Sequence, residues 1–184
     1  MAAAKKGKRV KDDKKEIVTP KGWEAARLIA GLFFALASLY TFVALFSYLF
    51  TWSDDQSLLT NPSLWSNSVD AENQAGKLGF VWANLLLSDL FGIGAFIIPF
   101  FFGGLSVYAL KIRKIRIVKF LLLSIYGCII VSIAFAYIFA FTPFNDLFGN
   151  GVGGSYGYFV NEWLFSMLGA AGAGSVIIIA LVLW

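Results

Sequence analysis

Few residues in this chain could do chemistry, and their spacing restricts what that chemistry would be. Asp89 is the one acid close to an apolar run, in the stretch Leu85-Leu86-Leu87-Ser88-Asp89-Leu90. An ionisable group at membrane depth is a candidate ion or proton site. A conduction pathway would want a second buried charge, and the other apolar runs contain none. A competing reading makes Ser88 or Asp89 the N-cap of the helix that follows, where an acid also complements the helix dipole. Cys128 is the single cysteine, and there is no histidine. One thiol cannot close an internal disulfide and, without histidine partners, makes a poor metal site, so Cys128 reads as a small packing residue. The commonest general base is missing. The Gly-Lys pairs at 7–8 and 76–77 continue into Arg9 and Leu78, not into the hydroxyl residue of a phosphate-binding loop. We assign no catalytic residue, cofactor site or metal site, and read the segment as non-enzymatic.

The elements that hold these residues follow from hydropathy. The chain is 59% hydrophobic with only 14% charged residues, outside the range of ordinary soluble domains. Its apolar residues fall in runs long enough to cross a hydrocarbon layer of about 30 Å. The expected fold is all-α: a polytopic membrane protein with four transmembrane helices. The expected spans are 28–50, 90–110, 117–141 and 163–184, with 79–89 as an interfacial or helical lead-in to the second. Pro99 is expected to kink the second span. Residues 1–27, with low hydrophobicity, read as a basic, disordered tail. The tail and the hinge 111–119 hold fourteen of the fifteen cations. The positive-inside rule therefore puts both termini in the cytoplasm. Attraction to anionic lipid accounts for the tail better than nucleic-acid binding, because four acids are interspersed in it. The chain ends on Trp184 at the expected interface, so a longer protein continuing into the cytoplasm is expected.

Two loops lie on the opposite side. Residues 51–77 are polar, long for a bare connector, and carry Trp52 and Trp65. Trp52 reads as an interfacial belt residue. Trp65 is either a contact for a partner protein or a membrane rest. Small residues recur at helical spacing: Gly31 and Ala35; Cys128, Ser132, Ala136 and Ala140; Gly169 and Ala173; Ala170 and Gly174. Such faces allow close helix approach, either within the four-helix unit or between protomers.

One stretch carries a pattern beyond composition. It reads Asn73-x-x-Gly76-x-x-Gly79, then Ala83, Leu86, Phe91-Gly92, Ala95 and Pro99. A second reads Gly153-Gly154-x-x-Gly157, then Leu164, Leu168-Gly169 and Gly172. Together they resemble the membrane domain of the FtsK/SpoIIIE family of bacterial DNA translocases, over roughly residues 28–184. Asp55-Gln56-Ser57 sits where that family often has an Asp-Pro-Ser-like turn. Asn84 stands where the family commonly has Asp, and Asp89 where it is usually uncharged. The resemblance implies packing roles for Gly76, Gly79, Gly92, Pro99, Gly169 and Gly172. It also implies a downstream motor that uses ATP and Mg, binds DNA and forms a hexamer, and a membrane domain that contacts cell-division membrane proteins at the septum of the inner membrane. The reading from a different class is a small transporter or channel subunit with an ion site near Asp89.

Overall fold

The computed structural model describes residues 21–61 and 64–184. The reading of a disordered tail therefore falls, over 1–20, outside the described residues. Those described are all helix and turn. Four helices are long and apolar enough to cross a membrane: 22–60, 76–109, 117–139 and 154–183. In a solvent that offers no hydrogen bonds, the backbone must satisfy itself, and a helix does so within one segment.

Helix α1, Lys21–Asp55, is 35 residues long, or about 50 Å at the usual rise, well beyond a hydrocarbon layer. A 3-10 turn, Gln56–Thr60, follows it directly. Helix α2 is Gly76–Asn84, then the chain winds as a π-helix over Leu85–Phe91 and a 3-10 helix over Gly92–Phe96 before α3, Ile97–Ala109. Helix α4 is Ile117–Phe139 and α5 is Gly154–Leu183.

Pairings along α1 show how the second long segment runs. Ser38 Oγ donates to the Pro99 carbonyl (2.7 Å), Ser106 Oγ to the Gly31 carbonyl (2.8 Å) and Arg27 to the Ala109 carbonyl (3.2 Å). Hence α3 descends antiparallel to α1. Both ends of α2 pair with one short stretch of α1 instead. The Ala75 carbonyl accepts from Tyr40, and the Asn84 side chain accepts from Tyr48. So α2 lies beside roughly two turns of α1, and the chain reverses through 85–92 before descending. The descending part, 3-10 helix plus α3, is about 30 Å long.

Helix α5 also doubles back. Gly157 lies against Ser132 of α4, and Phe165 stacks on Phe141, just past the end of α4. Past Gly169 the partners return: Tyr137 donates to the Ala170 carbonyl, Tyr126 to the Ala180 carbonyl, and Trp184 Nε1 donates to the Leu123 carbonyl. Gly169 has φ 66° and ψ 174° inside the helix, a region essentially restricted to glycine. The expected span 163–184 therefore contains a break. The segment is two limbs, and Tyr137 supplies a donor to a carbonyl beside the break.

Pro99 is the third residue of α3, and the 3-10 winding of Gly92–Phe96 lies directly before it, on the side where a proline ring meets the carbonyl four residues back.

The main core joins α1, α2 and the turn after α4. Ala44, Leu45, Tyr48, Phe80, Ala83, Leu87, Ala95 and Phe148 are all buried in it. Phe148 reaches this core from the loop 140–153, which plunges between the helices. A smaller cluster, with Ile133, Leu164, Ala173 and Ile177, joins α4 to α5.

Candidate functional site where two doubled-back segments cross

The reversal at 85–92 and the start of α5 touch backbone to backbone. The Ile93 amide donates to the Val152 carbonyl at 2.9 Å, and Ser132 Oγ to the Gly153 carbonyl at 2.6 Å. Gly92 has φ 56°, and a Cβ there would strike the Val152 carbonyl and Gly153. Gly154, φ 70°, would strike Gly92 and the Leu87 and Leu90 carbonyls in turn. Glycine is required at both positions for conformation and for close approach.

A polar cluster surrounds this crossing. The Tyr48 hydroxyl donates to Asn84 Oδ1 (2.8 Å), with the Phe148 carbonyl at 3.4 Å. Asn84 Nδ2 donates to Asp89 Oδ2 at 3.3 Å. Asn150 Nδ2 donates to Ser88 Oγ at 3.0 Å and reaches Asp89 Oδ1 at 3.5 Å. Ser155 Oγ donates to the Ser88 carbonyl at 3.3 Å. Asp89 therefore sits inside the π-helical turn with two carboxamides directed at it. It caps no helix: Phe91 precedes the 3-10 helix, Phe96 precedes α3, and neither start has a side-chain cap. The cap reading of Ser88 and Asp89 is corrected, because the chain bends at this point before α3 begins. Chemically the cluster orients a carboxylate. Among the described residues no group of three or more His, Cys, Asp or Glu side chains comes together as a metal site would need.

A second polar device holds the loop that leads into α2. Asp55 is 2% exposed. Its Oδ1 accepts the Glu72 amide at 2.8 Å and its Oδ2 the Asn73 amide at 3.0 Å. Asn73 Nδ2 donates to the Ala44 carbonyl, and its Oδ1 accepts the Ala75 amide. Ser47 Oγ accepts the Gln74 amide. These bonds fix residues 72–75 against α1, and Lys77 Nζ, donating to the Ser66 carbonyl at 2.6 Å, ties the middle of the loop to α2. In the sequence Asp55 and Asn73 stand only as members of separate motifs. The signal was an acid and an amide flanking a loop, which spacing alone cannot pair.

Trp65 stands out from this held loop, 66% exposed. Trp52, partly buried, packs edge-on against Phe148 at the margin of the main core. The remaining motif residues divide by role. Gly76, φ 69°, meets nothing within 4 Å and serves the turn, whereas Gly79 faces Asn73 and Tyr40. Gly172 meets only Leu168 of its own helix, and Gly169 meets nothing within 4 Å. Of the small-residue faces, Cys128, Ser132 and Ala136 are buried, with Gly94 against Cys128 and Ser132, and Gly153 against Ser132 and Ala136. Gly31 lies against Leu110.

A family model described as the 4TM region of DNA translocase FtsK/SpoIIIE matches residues 25–184. The chain belongs to this family. No curated protein and no solved structure matches it. The FtsK/SpoIIIE match takes in all four long helices, and the two glycine motifs fall on the two segments that double back. The chain is thus the membrane region of an FtsK/SpoIIIE-type translocase.

Proposed function

We propose that this region anchors the translocase in the bacterial inner membrane and joins it to division proteins at the septum, so that chromosome segregation is coupled to division. In this reading the basic end, with Arg27 and the 111–119 hinge, faces the cytoplasm, and so do both termini. The loop between α1 and α2 faces the other way and offers Trp65 to a partner. ATP, Mg and DNA belong to the translocase's motor, whose hexameric form would gather several copies of this region. The observation that supports the reading best is the clamp at Asp55. A loop held at 72–73 by a buried carboxylate and beside Trp65 by the Lys77 bond to the Ser66 carbonyl presents its exposed tryptophan in a fixed place, which lowers the ordering cost of binding. Fluorescent fusions test this. Trp65→Ala should insert normally and accumulate less at the septum; equal accumulation of variant and wild type would reduce Trp65 to a membrane contact.

The reading as an ion-conducting subunit draws on one feature, the acid beside two crossing, broken segments, an arrangement that transporters use for ions. Asp89→Asn in reconstituted vesicles would abolish an ion flux if that reading holds.

A further inference from the structure

A groove of about 780 Å3 opens at the basic end, between α1, the end of α3 and the hinge into α4. Trp23, Arg27, Ala30 and Phe34 follow helical spacing, so one face of α1 forms a wall. Leu105 and Ile117 complete an apolar lining. The cations Arg27, Lys111, Arg113 and Lys114 also line the groove, and no acid does. Glu24 lines a smaller adjoining cavity with Arg27 and Lys111.

The backbone at Lys111 adds an independent observation. The Lys111 amide donates to the Tyr108 carbonyl and the Ile112 amide to the Val107 carbonyl, both at 3.1 Å. This is the helix-ending pattern that usually places glycine in the left-handed position. Here that position is Lys111, with φ 57°. A lysine is held in a conformation it disfavours, with its side chain against the groove. Such a conformation persists where the surrounding structure fixes the backbone, and here it sets the lysine at the groove.

We infer that the groove binds one anionic phospholipid, with the phosphate on the Lys111–Lys114 cations and Arg27, and an acyl chain along Ala30, Phe34, Leu105 and Ile117. Charge complementarity selects an anion, and the apolar wall selects a lipid over free phosphate. Trp23 and Tyr108 are aromatic residues of the kind that sit at headgroup level. The inference does not depend on which side of the membrane the basic end faces or on any septal role.

Native mass spectrometry of the full chain in neutral detergent, titrated with phosphatidylglycerol or phosphatidylcholine, tests it. One phosphatidylglycerol should be retained preferentially, and inorganic phosphate should not displace it. Each nearby cation contributes roughly a fivefold gain for anionic lipid, so the triple variant K111Q/R113Q/K114Q should bind about a hundredfold more weakly. Ala30→Phe should block binding without changing charge, with helicity by circular dichroism confirming the fold. The pair R116Q/K119Q, also on the hinge but outside the groove, should leave it intact. Equal retention of both lipids, undiminished binding by the triple variant, or an equal loss in R116Q/K119Q would overturn the assignment, the last by showing a general surface potential.

Discussion

Asp55→Ala removes a buried carboxylate whose two oxygens accept the Glu72 and Asn73 amides at 2.8 and 3.0 Å. Hydrogen bonds to a charged acceptor contribute about 1.5–3 kcal/mol each, and the Asn73 amide left behind is buried without that partner, while the Glu72 amide is only partly buried. The loss should therefore come to about 3–5 kcal/mol, concentrated in the loop. Helices α1 and α3 keep their own contacts, so the expected result is local opening and not global unfolding. At about 1.4 kcal/mol per decade, amide exchange at 72–75 should accelerate by roughly two to four orders of magnitude. The assay is hydrogen exchange read by mass spectrometry on protein in nanodiscs, with peptides from α4 as an internal reference. Unchanged exchange at 72–75 would refute the clamp. Equal acceleration in α4 would refute its local character. Asn73→Ala should open the same peptides, since it forfeits the bonds to the Ala44 carbonyl and the Ala75 amide.

Other substitutions probe the crossing and the topology. Gly92→Ala should cost about 3 kcal/mol or more through overpacking and left-handed strain and lower the melting temperature in detergent sharply, whereas Gly22→Ala, with open space around it, should not. Gly169→Ala should straighten the break in α5 and lengthen the distance between spin labels at 165 and 178, measured by pulsed electron resonance; an unchanged distance would show that the break does not need glycine. Cysteines at Ser66 or Asn150 should react with an impermeant reagent on intact cells, and one at Ile112 should not; the opposite pattern would invert the topology. The purified chain should hydrolyse no ATP above a detergent blank.

Hydropathy and charge carried much of this protein by themselves. Uninterrupted apolar runs leave helix as the available backbone arrangement in lipid, so the four long helices, and the start of α4 at Ile117, could be read from composition and spacing. The cation count in the hinge likewise marked one end of the bundle. What spacing could not reveal was direction within a run. An apolar stretch that crosses and one that folds back have the same hydropathy, and the difference lies in one glycine at φ 66° and in a π-helical turn at Asp89. Pairings such as Asp55 with Asn73, or Asn150 with Ser88, join residues 18 and 62 positions apart. They exist only once α1, α2 and the plunging loop have packed together. Asp89 shows the same limit. The sequence marked it as an unusual acid, but whether it capped a helix or sat between two carboxamides depended on where the chain turned. That turn is set by the close approach of Gly92 to Val152, Gly153 and Gly154, a long-range contact made by residues with no side chains to advertise it.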